Sequence, residues 1–135
     1  MDEKTRRVRV QPGVVRDELN RFLAPREMLF GPETSTANRA MMGGMVGNNS
    51  CGSNSIVYGS TRVHLVSLKG FLSDSSEVTT EALSQQEFLA KCDRPDCLET
   101  QIYKGVRPML RYPDHRGAIT KNFHLASIPL RPPRY

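Results

Sequence analysis

The sequence predicts an α+β chain: a small, mostly antiparallel sheet flanked by helices, followed by a helical C-terminal tail. Three observations carry that expectation. Residues 7–11 alternate polar and apolar side chains around Val8 and Val10, the period of a half-buried strand. Residues 64–72 hold Leu65, Val66, Leu68, Phe71 and Leu72, and the turn formers Asp74, Ser75 and Ser76 return the chain to Val78, Thr79 and Thr80. From Ser84 onward the apolar spacing becomes helical. Strands precede helices instead of alternating with them, which points away from a doubly wound parallel sheet.

The elements follow in order. Pro12 and Gly13 end the first strand. Residues 17–24 predict a helix, with Val14, Val15, Leu19, Phe22 and Leu23 on one face and Arg16, Asp17, Glu18, Asn20 and Arg21 on the other. Pro25 closes it. Met28, Leu29 and Phe30 form a short strand or buried extended run. Ser35 or Thr36 is a suitable N-cap for a helix over residues 37–46 that turns Ala40, Met41, Met42 and Val46 inward. Gly43 and Gly44 within it cost about 1 kcal/mol each relative to Ala. Gly47, Asn48 and Asn49 end it, and a polar loop covers residues 50–55. Ser84, Gln85, Gln86 and Glu87 resemble a capping box ahead of Phe88 and Leu89. Residues 98–110 carry a helical stripe of Leu98, Ile102, Val106, Met109 and Leu110, with Pro108 inside it. A short helix follows over 114–122, and the proline-rich run 128–135 predicts no regular structure. The expected division is residues 1–83, holding the sheet, and residues 84–135, a helical extension.

Composition limits the function classes. The chain has 135 residues and a net charge of +5, from 19 Lys+Arg against 14 Asp+Glu. Its basic residues are scattered and form no stripe with the four Tyr and five Phe, so nucleic acid is not the expected partner. Cys51, Cys92 and Cys97 make an odd set with no framework, which points to a reducing compartment and a cytoplasmic location. Cys92 and Cys97, with Asp93, Asp96 and His115 near in sequence, are a poor match to paired metal ligands, and no metal is expected. Residues 2–7 are nearly all charged, so neither a signal peptide nor a membrane span is expected.

The stretch from Gly31 to Arg62 carries the chemistry. Six of the ten glycines lie there, with no Asp and one Glu. Unshielded main-chain N–H groups and short polar side chains can converge on phosphate oxygens. Ordinary turn chemistry on a surface loop gives the same composition.

An ordered set of motifs narrows this. Val10-Gln11-Pro12-Gly13-Val14, Leu19-Asn20, Phe30-Gly31-Pro32-Glu33-Thr34-Ser35, Gly43-Gly44-Met45-Val46-Gly47-Asn48-Asn49-Ser50-Cys51-Gly52 and Tyr58-Gly59-Ser60-Thr61-Arg62 occur in that order. Together they resemble the FAD-binding domain of FAD-linked oxidases, of the vanillyl-alcohol oxidase type. Within it they are most similar to the D-lactate and glycolate dehydrogenase branch and its D-2-hydroxyglutarate-dehydrogenase-like enzymes. The resemblance implies a two-lobed domain with FAD between the lobes, this chain being the second lobe. A first lobe would precede residue 1 and a substrate domain would follow residue 135, so the chain is expected to be a fragment. Val63 stands where the family usually has Asp, and Ser75 where its turn usually has Gly.

The resemblance also implies FAD contacts. Pro32, Glu33, Thr34 and Ser35 would lie along the flavin. Gly43, Gly44, Gly47, Asn48 and Asn49 would give close backbone and amide contacts. Ser50, Cys51, Gly52 and Ser53 would continue that wall to Tyr58 and Gly59. Each has a plainer alternative. Gly43 and Gly44 also suit close packing of a helix on a strand, and Asn48 and Asn49 suit a helix C-cap. Cys51 reads better as a small buried hydrophobe than as a redox group. Arg62 suits a carboxylate partner, and His64 a satisfied core group. His115 and His124 have no partner pattern. No Ser/His/Asp, Cys/His or paired-carboxylate constellation is present, so no catalytic residue is named. The expected function is one wall of the FAD site in an oxidoreductase acting on a 2-hydroxy acid such as lactate, glycolate or 2-hydroxyglutarate. That substrate would need the missing domains. The alternatives are a non-enzymatic remnant or interaction module that self-associates through its exposed lobe surface, and a nucleotide module using the glycine-rich stretch alone.

Overall fold

The computed structural model describes residues 1–122. The expectations for His124 and for the run 128–135 lie outside the described residues. The fold class is α+β: among the described residues there are six α-helices and a two-stranded antiparallel sheet. The chain divides into two compact units, Met1–Val66 and the residues from Ser67 onward.

The first unit is built mostly from irregular backbone around three short helices. Helix α1 spans Arg16–Leu23 and continues into a 3-10 turn, Ala24–Arg26, where Pro25 sits in the first turn. Glu27, with φ of 54°, ends that turn in the left-handed region. Leu19 and Leu23 of α1 form the core with Met42 and Met45 of helix α2, Met42–Gly47. Val8, Val10, Val14, Met28, Phe30 and Ala40 pack against it. Helix α3, Ser55–Tyr58, and a 3-10 turn, Thr61–His64, complete the unit.

Several expectations are corrected here. Residues 7–11 form no strand. Asp2 and Arg7 pair in an isolated bridge, and beyond it Val8 and Val10 reach the core from backbone that has no ladder partner. Residues 28–30 likewise form no strand. Phe22 is 48% exposed, and the Arg26 guanidinium lies 4.8 Å over its ring. The helix expected over 37–46 is confined to its C-terminal part, because its first residues have other partners. Ala37 N–H donates to the Thr34 carbonyl, and Ala40 accepts from Arg16 N–H. Met41 pairs with Val15 in a bridge at ψ of 145°, so helix begins only at Met42. Met42 is buried as expected, Met45 is buried where Met41 was expected, and Met41 is 54% exposed. The loop expected over 50–55 gives way at Ser55 to α3.

The second unit is regular and local. Strands β1, Ser67–Phe71, and β2, Glu77–Glu81, pair in register from Ser67 with Glu81 to Phe71 with Glu77. The strand is shorter than the expected 64–72, since residues 61–64 close a 3-10 turn. Ser75 takes φ of 66° in the connection, and Asp74 accepts from the Ser76 N–H and hydroxyl. Helix α4, Gln85–Cys92, opens with the capping box: Glu87 N–H donates to Ser84 Oγ, and Ser84 N–H to Glu87. Helix α5, Leu98–Met109, packs on α4 through Phe88 and Tyr103, edge to face at 5.6 Å, beside the buried Cys92 and Thr100. Lys91 joins Glu99 at 2.8 Å. The apolar stripe of α5 lies largely on the outside, with Ile102, Val106 and Met109 exposed. Pro108 falls in the last turn of α5, where one lost helical bond costs less than in mid-helix. Helix α6 spans Pro113–Asn122. No helix among the described residues is long and apolar enough to cross a membrane.

Candidate functional site

Close packing explains Gly31, Gly43 and Gly52 in the first unit. Gly43 N–H donates to the Pro12 carbonyl at 2.9 Å, and a Cβ there would lie 2.7 Å from Pro12 Cβ. Met42 N–H donates to Val14. The first turn of α2 is thus bonded to the 12–14 segment, and those two N–H groups hold no anion. Gly52 approaches the Glu33 backbone, where a Cβ would lie 2.5 Å from the Glu33 carbonyl oxygen. Gly31 lies against the Tyr58 ring in the same way. Gly59 takes φ of 72°, a conformation that favours glycine. Gly44 differs from these, since a side chain there would meet open space.

Around Gly44 the first unit forms an open groove of about 410 Å3. Thr34, Ser35 and Thr36 supply hydroxyls along one side, and Asn48, Asn49, Ser50 and Cys51 line another. Ala40 and Met41 supply apolar surface, with the buried Met45 behind them. Among the groove residues there is no carboxylate, ammonium, guanidinium or imidazole. Such a surface can bind and orient through hydroxyl, amide and apolar contacts.

Both sides are held from behind. On the first side, Asn20 of α1 accepts from Phe30 N–H at 2.7 Å and donates to the Phe30 carbonyl at 3.3 Å. Arg16 Nε donates to the Pro32 carbonyl at 3.2 Å. This fixes the chain just before Thr34, whose hydroxyl pairs with that of Thr36 at 3.2 Å. On the second side, the Ser50 carbonyl accepts from Thr61, and Asn49 Oδ1 accepts from Arg62 N–H. Asn49 takes φ of 47°, the left-handed conformation expected just beyond a helix end.

Of the residues singled out by sequence, Thr34, Ser35, Gly44, Asn48, Asn49, Ser50 and Cys51 come together in the groove. Pro32, Glu33, Gly43, Gly47, Gly52, Ser53, Tyr58 and Gly59 do not line it. The Glu33 carboxylate accepts instead from Asn54 at 2.6 Å and Ser53 at 3.4 Å. Cys51 is exposed, which corrects the expectation of a buried hydrophobe. His64 is exposed too, in a 3-10 turn instead of a strand, with Nε2 2.7 Å from the Tyr58 carbonyl oxygen and its ring edge-on to Phe30. Arg62 shows no carboxylate partner among the described residues, and its backbone makes the contact with Asn49. Thr36, Ala40, Met41 and Met45 were missed as groove residues. The amphipathic reading of 37–46 turns Ala40 and Met41 inward; Ala40 does pack against the core, and nothing local distinguishes a core methionine from one lining a groove.

A second hollow, about 470 Å3, is lined by Glu3, Arg6, Pro25, Arg26, Glu27 and Met28. Its walls carry both charge signs and an Arg26–Glu3 ion pair of 3.0 Å, and none of the singled-out residues reaches it. Among the described residues no group of three or more His, Cys, Asp or Glu is placed to hold a metal ion.

Comparison with known proteins covers most of the chain. A family model described as FAD binding domain matches residues 1–81. The D-2-hydroxyglutarate dehydrogenase of Haemophilus influenzae is 39% identical over 124 residues, 90% of this chain and 12% of the relative. The Escherichia coli K12 protein of that name is 41% identical over 116 residues, 86% of this chain and 11% of the relative. The one from Pseudomonas putida is 38% identical over 100 residues, 74% of this chain and 10% of the relative. The chain therefore spans about an eighth or less of the length of these curated relatives. No solved structure matches it. With the family model covering 81 of 135 residues, the chain belongs to the FAD binding domain family.

Proposed function

We propose that residues 1–83 form one wall of the FAD site of a flavin-linked dehydrogenase, and that residues 84–135 are a helical extension leading out of it. The observation that carries the reading is the uncharged groove around Gly44, which lies inside the span matched by the family model. Its chemistry suits FAD. Ala40 and the exposed Met41 offer apolar surface to a flat ring. The hydroxyls of Thr34, Ser35, Thr36 and Ser50 and the amides of Asn48 and Asn49 offer neutral donors to ribityl and phosphate oxygens. No carboxylate lines the groove to repel a pyrophosphate. Pro32, Glu33, Gly43, Gly47, Gly52, Ser53, Tyr58 and Gly59 belong to the same proposal as the frame that shapes the wall. The family match ends at residue 81 and the α4 cap stands at Ser84, which supports the boundary at 83. Internal packing divides the chain earlier, after Val66.

The substrate proposed for the whole protein is a small 2-hydroxy acid, supported by the name shared by the relatives. Bound FAD would take up the hydride equivalent removed from the carbon bearing the hydroxyl. The residues of this chain bind and orient, and none is proposed as acid or base. A cytoplasmic location is supported by three free cysteines.

Titration of the isotope-labelled chain with FAD, followed by amide chemical shifts, tests the wall. One wall alone should bind weakly, near a millimolar dissociation constant or about 4 kcal/mol. Shifts are expected at Thr34–Thr36, Gly44 and Asn48–Cys51. A spectrum unchanged at millimolar FAD, or shifts confined to the second unit, would sink the reading. A second reading, an interaction module that self-associates, is supported by Ile56 and Val57 of α3, which are 95% and 73% exposed. Sedimentation showing a monomer at every concentration counts against it.

A further inference from the structure

The geometry points to Thr61 as a positioning residue that aims the Cys51 N–H into the groove, an inference that rests on the FAD reading above. Thr61 is polar yet only 2% exposed, and it does not line the groove itself. Its N–H and its hydroxyl both donate to one acceptor, the Ser50 carbonyl, at 2.9 and 2.7 Å. Two donors occupy both lone pairs of that oxygen and fix its direction. The Ser50–Cys51 peptide is planar and trans, so its N–H points opposite to its C=O. A carbonyl pinned toward Thr61 therefore turns the Cys51 N–H away from Thr61. That N–H finds no acceptor among the described residues, and Cys51 is an exposed residue of the groove wall. The neighbouring bond, Arg62 N–H to Asn49 Oδ1 at 2.9 Å, holds the preceding groove residue from the same turn. Thr61 and Arg62 thus hold the Ser50 carbonyl and the Asn49 side chain, two successive wall residues, from outside the groove. The ligand chemistry served is an acceptor oxygen of FAD, carbonyl or phosphate.

Thr61→Val keeps the shape and the backbone bond and removes the hydroxyl bond. In the labelled 135-residue chain it should weaken FAD binding roughly threefold to tenfold, the worth of one neutral hydrogen bond. The FAD-induced shift of the Cys51 amide should vanish while those of Thr34–Thr36 persist. Thr61→Ser should restore both. Thr100→Val serves as comparator: it too removes the hydroxyl of a buried threonine, 1% exposed, and it should lower the melting temperature without altering the Cys51 shift. If the valine variant does not fold, Thr61→Ala reports the same loss. Wild-type shifts that survive in Thr61→Val, or a serine variant that fails to restore them, overturn the positioning role and leave the FAD reading standing. A wild-type chain showing no groove shifts overturns the FAD reading and this role with it.

Discussion

The two units solve the problem of small size differently. The first has four well-buried apolar side chains, Leu19, Leu23, Met42 and Met45, and ties irregular backbone to them with polar contacts between residues 10 to 21 apart in sequence. The second buries Cys92 and Thr100 and relies on short-range devices: a hairpin, a capping box, and the Lys91–Glu99 pair eight residues apart. A groove can be built the first way because loops from distant parts of the chain meet there. A hairpin followed by helices makes stiff pieces but brings few distant residues together. Tertiary packing should therefore dominate the stability of the first unit, and local propensity that of the second.

The largest effect should come from the core of the first unit. Met45→Ala removes a side chain only 2% exposed and should cost about 2–5 kcal/mol, read by urea unfolding. Met109→Ala, at a residue 60% exposed, should stay within about 0.5 kcal/mol. Equal losses would break the comparison. The adjacent glycines of α2 should next move in opposite directions. Gly43→Ala forces a Cβ against Pro12 and should destabilise by about 1–3 kcal/mol. Gly44→Ala enters open space in a helix and should stabilise by up to about 1 kcal/mol, while losing FAD-induced shifts. Thermal melts of the pair separate what folding needs from what the ligand needs.

In the second unit the effects shrink. Ser84→Ala removes the cap of α4 and should cost about 1 kcal/mol, seen as faster amide exchange in its first turn. Smallest is a pH effect. The Glu99 hydrogen bond, outweighing burial, holds the Lys91 ammonium above the ordinary lysine range. A raised value means that the contribution is complete below the unfolded pKa, about 10.4, and is lost as pH rises through the folded one. The difference in melting temperature between wild type and Lys91→Met should be constant near neutrality and close above that value. A gap that instead closes on acidification to pH 7 would remove Lys91 from the account.

The same contrast decides what could be read from sequence. The hairpin, the Ser84 cap, α5 and α6 were legible because their signals lie within a few residues of their effects. In the first unit α1 was legible from its own periodicity, but Val8 and Val10 were misread as a strand. Their alternation reports burial, and no neighbouring backbone supplies a ladder. The helix over 37–46 was overextended because nothing local shows that Met41 pairs with Val15, 26 positions earlier. Thr34, Ser35 and Asn48–Cys51 could be named from motif order, whereas Met41 and Met45 became groove residues only through that distant pairing. Gly43 and Gly44 look alike in sequence. Only the position of Pro12 separates them.

Asn20 has a consequence for what the molecule avoids. Its one side-chain amide satisfies both the N–H and the C=O of Phe30, the pair of bonds that a neighbouring strand would otherwise make. It acts as a one-residue strand substitute. Phe30 lies outside any strand, and a backbone N–H and C=O left open beside an aromatic side chain are groups that a strand from another molecule can pair with. The amide of Asn20 occupies both of these Phe30 groups. Asparagine at this position therefore fills a strand's hydrogen-bonding role as well as shaping the groove.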